Sequence, residues 1–231
     1  MADKYLSIIT NFGCHYSCPE CIVRNNNLKM SPTGEYSSYA QLYAALIGSC
    51  DDCNWVSVSG GGDPIYHWWE HQVWWHGFFE MCRRAGRKTE LHTSYFDMEY
   101  NPEMLLFPFD KFNRVVYHLH TTDELDSVRR FGNEIVRVVF VVNDDMTEDE
   151  INEIADYVEY SSDIDELSFR QRVDENYEPT YHLHDFLKAG HQKRWWYIEQ
   201  CDYNTYYYNG KLYTKYTDIF EKEPRDNVLT V

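Results

Sequence analysis

Three cysteines stand close together near the start of the chain, in the run Cys14-His15-Tyr16-Ser17-Cys18-Pro19-Glu20-Cys21. Three and then two residues separate them, and that spacing within one loop lets all three thiols converge on a single metal centre. Thiolates are the ligands of iron–sulfur clusters, and a complete cluster normally takes four of them. Three leave one iron open, which would be a defect in an electron carrier but in an enzyme is a place for a substrate or cofactor. A structural zinc site is the alternative, with His15 or a distant cysteine as the fourth ligand.

The hydrophobic pattern shows which elements must position these thiols. Residues 5–10, Tyr-Leu-Ser-Ile-Ile-Thr, read as a buried strand that delivers the cysteine loop. Ser37 or Ser38 can cap a helix running to about Ile47. Residues 55–58 form a second strand that ends in Gly60-Gly61-Gly62-Asp63-Pro64, where glycine permits positive φ and close approach of the backbone to a ligand. A helix over 67–84 is stopped by Gly86. Further strands are predicted over 89–93, 114–120, 135–142 and 166–169, with helical segments near 122–131 and 147–160; Thr147-Glu-Asp-Glu150 has capping-box spacing. This alternation predicts βαβ units and a parallel sheet, and six units predict an α/β fold of the partial (β/α)6 TIM-like barrel type or its closed form. Chemistry in such barrels collects at the C-terminal ends of the strands, where the cysteine loop and glycine run both fall. Residues 1–180 are the expected core and 181–231 a C-terminal extension. Within that extension Asn209-Gly210, flanked by Tyr206-Tyr-Tyr208 and Lys211-Leu-Tyr213, is a type I′ hairpin signal. The hairpin either covers the barrel mouth or simply pairs its aromatics across strands.

The cysteine loop resembles the signature of the radical S-adenosylmethionine superfamily, CxxxCxxC after the first barrel strand, which Cys14, Cys18 and Cys21 match one for one. Pro19 is frequent in that family, whereas Glu20 stands where many members carry an aromatic beside the adenine. The glycine run is similar to the family's GGE motif with Asp63 in place of Glu, and some glycyl-radical-enzyme activases carry a GGDP sequence. The resemblance implies a [4Fe–4S] cluster on Cys14, Cys18 and Cys21, with the amino and carboxylate groups of S-adenosylmethionine on the open iron. Electron transfer into the sulfonium then gives methionine and a 5′-deoxyadenosyl radical. It further implies that Gly61, Gly62 and Asp63 hold the methionine amino group and that Thr93 and Ser94, ending the third strand, contact the cofactor. His118 and His120, on one face of the fourth strand by alternation, would help hold the ribose and the methionine carboxylate. Arg137 on the fifth strand and Arg170 ending the sixth complete the expected cofactor contacts, and either is suited to grip a substrate carboxylate or phosphate bidentately. In some members a C-terminal cysteine supplies a hydrogen atom, which makes Cys201 the candidate catalytic donor; a packed side chain is the alternative. Together His92, His118 and His120 read as polar lining rather than a second metal site.

Other features are plainer. Cys50-Asp-Asp-Cys53 lacks a second CxxC to complete a four-thiolate site, and Cys82 reads as core filling. Trp68, Trp69, Trp74 and Trp75 cover more of a helix than a barrel contact needs, leaving room for a partner or a homodimer. The 231 residues, with 21 basic against 38 acidic side chains and a net charge of −17, disfavour tight autonomous binding to nucleic acid. No apolar run approaches a membrane span and no signal peptide is evident, so a cytoplasmic protein without membrane partners is expected. Seven cysteines without a secretory signal favour metal or redox use over disulfides. The function expected from the resemblance is radical chemistry on a small-molecule or nucleoside/nucleotide substrate, fed by an external electron donor such as flavodoxin or ferredoxin. The alternatives are a glycyl-radical-enzyme activase acting on a protein partner, and a non-catalytic iron–sulfur or zinc protein.

Overall fold

The structure, a computed structural model, describes residues 4–10, 12–18, 21, 23, 39–48, 53–94, 102–174, 178–199 and 204–219. Among these the fold is α/β, with nine strands, mostly parallel, and the chain divides into two compact units.

The first unit contains β1 (Lys4–Thr10), α1 (Tyr39–Gly48), β2 (Cys53–Gly60), α2 (Gln72–Arg84), β3 (Lys88–Thr93), β8 (Thr205–Tyr208) and β9 (Lys211–Tyr213). Its strands lie in the order β9-β8-β1-β2-β3. β1 and β2 pair in parallel from Tyr5 with Trp55 to Thr10 with Gly60, so the two chains leave their strands side by side. Leu6, Ser7, Ile8, Ile9 and Thr10 are all buried, as are Trp55, Val56, Ser57 and Val58, the continuous pattern of strands covered on both faces. α1 buries Leu42, Ala45 and Leu46, and α2 buries Trp74, Trp75, Phe78, Met81 and Cys82, each set at helical spacing. The helix expected over 67–84 is two elements: a 310 turn, Trp68–His71, and then α2. Trp74 and Trp75 are therefore core residues, while Trp69 on the turn is exposed. α2 stops as the sequence requires. Arg87 N–H bonds the Cys82 carbonyl at 3.0 Å and Gly86 N–H bonds that of Arg83 at 3.2 Å, a Schellman closure that needs the positive φ of Gly86, +64°.

The second unit contains β4 (Arg114–Leu119), β5 (Ile135–Val142), α3 (Glu148–Tyr160), β6 (Glu166–Gln171), α4 (His184–Ala189) and β7 (Trp196–Ile198), in the strand order β4-β5-β6-β7, all parallel. Thr147 caps α3: its hydroxyl accepts from Glu150 N at 3.3 Å while its own N–H reaches the Glu150 carboxylate at 2.9 Å. The segment expected to be helical over 122–131 is a 310 turn, Thr122–Ser127. Its capping box on Thr121 forms, but Val128 already turns extended (φ −64°, ψ 133°), and an extended residue cannot continue the helix.

Among the described residues neither unit's strands close into a ring. The hairpin forms at Asn209-Gly210, both with positive φ (47° and 79°). It is not a cover held apart from the sheet: β8 pairs in parallel with β1, Leu6 with Thr205 through Ile8 with Tyr207, and extends the first unit's sheet. Among the described residues no helix is long and apolar enough to cross a membrane.

Candidate functional site

In the first unit the ends of β1, β2 and β3 are tied together by backbone and by one carboxylate. Gly61 N–H donates to the Thr10 carbonyl at 2.8 Å and Asp63 N–H to the Gly13 carbonyl at 2.9 Å, so the glycine run lies against the backbone that leads into the cysteine loop. The approach is close enough to exclude a side chain: a Cβ on Gly62 would lie 2.1 Å from the Gly13 oxygen. Asp63 is 3% exposed. Its Oδ1 accepts from Ile65 N at 3.1 Å and Thr93 Oγ1 at 2.8 Å; Oδ2 accepts from Ser94 N at 2.7 Å and Thr93 Oγ1 at 2.9 Å. Burial pushes the Asp63 carboxyl above its ordinary value, opposed by the charge of His15 and by these hydrogen bonds. Asp63, Thr93 and Ser94, each expected beside the cofactor, are brought together, but onto one another. On β3, His92 Nε2 lies 2.8 Å from Glu90 Oε1, a buried carboxylate that sequence reasoning passed over.

The cysteine loop is divided between the units, Cys14 with the first and Cys18 and Cys21 with the second. None of the three is in a disulfide; Cys14 is exposed and the other two are partly so. Cys21 N–H closes a turn on the Cys18 carbonyl at 3.2 Å. Among the described residues no three His, Cys, Asp or Glu side chains are grouped as ligands of a metal ion.

In the second unit Cys18 Sγ lies 3.4 Å from Nε2 of His120, the residue that follows β4. On the other edge of that ring Nδ1 is 3.8 Å from Glu124 Oε1. Glu124 Oε2 accepts from His120 N at 2.5 Å and Thr121 N at 3.1 Å. Cys18 first and Glu124 second push the His120 imidazole up to about 10, against the effect of partial burial. Burial alone would raise Glu124, yet the ring and the two N–H groups hold it below the usual carboxylate value. His118, two residues earlier on β4, is half-buried opposite Val139 of β5.

The two arginines differ in place. Arg170, penultimate in β6, is paired between Val141 and Ile198 near the strands' C-terminal ends, as expected. Arg137 is not at such an end. It stands third in β5 and is held by Glu166, the first residue of β6, at 2.7 Å from Nε and 2.5 Å from a terminal guanidinium nitrogen, with buried Arg114 3.6 Å from the same oxygen. That places Arg137 towards the N-terminal ends, away from the expected cofactor contact.

A cavity of about 270 Å³ opens where β6 ends, lined by Gln171, Tyr181, His184, Lys188, Tyr197 and Glu199 among others. His184 Nδ1 is 2.9 Å from Tyr197 Oη, and Lys188 and Glu199 pair at 2.6 Å. Tyr181 and Leu183 beside it hold positive φ, 54° and 53°, conformations that cost free energy and are kept where packing or function demands them. The sequence signal for this cavity was thin, a strand running two residues further than expected and a short helix opening at His184. Cys201, the candidate hydrogen donor, lies outside the described residues, as do Pro19, Glu20 and Cys50 and the side chain of Cys53. Cys82 is buried on α2, and burial pushes its thiol far up, as suits core filling. No protein-family model and no curated protein matches this sequence.

Proposed function

We propose that the chain is a radical S-adenosylmethionine enzyme with a partial TIM-like barrel, acting on a small-molecule or nucleoside/nucleotide substrate. The observation that carries this reading is the pair of backbone hydrogen bonds from Gly61 to Thr10 and from Asp63 to Gly13, which lays the glycine run against the approach to the three cysteines. The glycine run and the backbone leading to Cys14, which the resemblance assigns to one cofactor, thereby lie on adjacent strand ends.

The donor set fits the cluster. Cys14, Cys18 and Cys21 would hold it, and because bound metal organises its own ligands, the cluster would fix the positions of thiols that are exposed or partly exposed without it. When bound, the cluster, reduced by an external electron donor, would supply the one electron that reductive cleavage of S-adenosylmethionine requires, and with it the hydrogen-abstracting chemistry. The protein's part is positioning and exclusion of water. Asp63 spends its carboxylate on Thr93, Ser94 and Ile65, so its role is to fix the glycine turn against β3. Contact with the cofactor's amino group then falls to the backbone of Gly61 and Gly62. The cavity beside Gln171 and Tyr197 has room for a small polar molecule.

Anaerobic reconstitution should give about four irons and four sulfides per chain, the content of one cubane cluster. Dithionite-reduced protein should convert S-adenosylmethionine slowly into 5′-deoxyadenosine and methionine. Full cluster occupancy retained in Cys14→Ala, Cys18→Ala and Cys21→Ala alike would overturn the assignment. The approach of His120 to Cys18 favours a second reading, a zinc site using Cys18, Cys21 and His120. Bound zinc without iron after anaerobic reconstitution with both metals would establish it.

A further inference from the structure

We propose that His120 is a positioning residue for the cluster: it donates a hydrogen bond from Nε2 to the sulfur of Cys18 and, held in place by Glu124, raises the cluster's reduction potential. This rests on the reading that Cys18 is a cluster ligand.

The geometry is built from both sides of the ring. Nε2 stands 3.4 Å from Cys18 Sγ, within hydrogen-bond reach for sulfur, although 102 residues separate the two in the chain. A thiolate bound to iron carries no proton and can only accept, so in the loaded protein the ring nitrogen is the donor. Glu124 is not a loose surface carboxylate that happens to be near. It is the closing residue of the Thr121 capping box, with Oε2 committed to the backbone N–H groups of His120 and Thr121 and Oε1 turned to Nδ1 at 3.8 Å. The same carboxylate therefore fixes the turn after β4, the backbone of His120 and the surroundings of its ring. The 310 turn after β4 places this carboxylate three residues beyond its cap, beside the Nδ1 edge of the imidazole.

Hydrogen bonds to the sulfurs are among the features that set cluster potentials. Reduction adds negative charge to the cluster, and a donor on a ligand sulfur stabilises that charge, so losing the donor makes reduction harder. For a cluster that must be reduced before it can deliver an electron, such a donor sets which electron donors can serve it.

The experiment is a redox titration of the reconstituted protein without S-adenosylmethionine, followed by electron paramagnetic resonance, with iron and zinc measured on the same samples. The His120→Phe protein should bind as much iron as the wild type but be harder to reduce by about tenfold in equilibrium constant, which is about 59 mV for a one-electron couple. Changing His120 to Gln keeps an N–H donor and should recover most of that shift; Glu124→Gln, which leaves the ring but weakens its support, should shift in the same direction by less. An unchanged midpoint potential in His120→Phe at equal iron content overturns the proposal while leaving the cluster assignment standing. Loss of metal from both His120 variants would make His120 a ligand and also overturn it. A wild-type protein that takes up no iron fails the parent reading itself, and this one with it.

Discussion

Asp63 grips Thr93 with both of its carboxylate oxygens, 2.8 and 2.9 Å from the threonine hydroxyl, across 30 residues of chain and from one parallel strand end to the next. Removing that carboxylate leaves the N–H groups of Ile65 and Ser94 and the Thr93 hydroxyl without their acceptor in a buried place. Asp63→Ala should therefore cost roughly 2–4 kcal/mol of folding free energy, measurable by urea unfolding, since each stranded buried donor costs about 1–3 kcal/mol and water re-entry recovers part. A loss below about 0.5 kcal/mol, the range of ordinary surface changes, would mean that the clamp does not hold the strand ends together.

The same carboxyl gives a pH dependence of definite sign. Its value is raised in the folded state, chiefly by burial, so ionising it opposes folding. The stability it confers is complete below the ordinary carboxylate range and is lost as pH rises through the raised folded value. The unfolding free energy of the wild type relative to Asp63→Asn, which does not titrate there, should be most favourable at low pH and decline as pH rises. A difference that stays flat, or grows with pH, would contradict this.

Gly62 is glycine because of its neighbour's backbone. The Cβ of an alanine would stand 2.1 Å from the Gly13 oxygen, and a carbonyl cannot swing aside as a flexible side chain can. Gly62→Ala should lose roughly 1–3 kcal/mol, the cost of overpacking, and should weaken S-adenosylmethionine binding by calorimetry because the strand ends must part. Gly86→Ala is the control: open space surrounds its Cβ, so only its positive φ is strained, costing about 1 kcal/mol, with cofactor affinity unchanged. Equal cofactor affinity in Gly62→Ala and wild type would detach the glycine run from the cofactor.

What was legible in the sequence follows the range of the forces involved. Gly86 after α2, Thr147 with Glu150 before α3, and Asn209-Gly210 in the hairpin are written in chemistry spanning six residues or fewer, and each forms as read. The six expected strands are present too, because burial on both faces leaves a continuous apolar run. What escaped depends on register and on partners far along the chain. Thr93 and Ser94 were expected beside a ligand, and only the hydrogen bonds across 30 residues of chain show them turned onto Asp63. The turn at 122–127 has helix-starting chemistry, but Val128 is buried in an extended conformation, and tertiary packing overrides the local signal. β7, three residues long, is too short for any periodicity to show.

Arg137 was expected to meet the cofactor, and Glu166 instead holds it, together with Arg114, towards the opposite ends of the strands. Arg137→Ala should lower stability by roughly 1–2 kcal/mol, the scale of a partly buried charged hydrogen bond, while leaving S-adenosylmethionine affinity within twofold. Glu166→Gln should do more harm, because Arg114 is nearly buried and would lose its counter-charge. A tenfold loss of cofactor affinity in Arg137→Ala would restore the cofactor role.

Arg170 keeps the place expected of it, penultimate in β6, on the face opposite that of Gln171, which lines the cavity. If the substrate carries a carboxylate or phosphate, a guanidinium at this strand end can hold it bidentately. Cleavage of the cofactor needs no such grip, and this separates two rates. With a deuterated extract of metabolites and nucleotides, the wild type should transfer deuterium into 5′-deoxyadenosine, and Arg170→Ala should reduce that transfer at least tenfold while changing uncoupled cleavage less than twofold. An activase would behave otherwise: no pool of small molecules would yield labelled 5′-deoxyadenosine, and a co-purifying large protein would acquire a glycyl radical signal by electron paramagnetic resonance. Should Arg170→Ala depress cleavage and transfer equally, the side chain acts on the cofactor, and the substrate's anionic group must be held elsewhere.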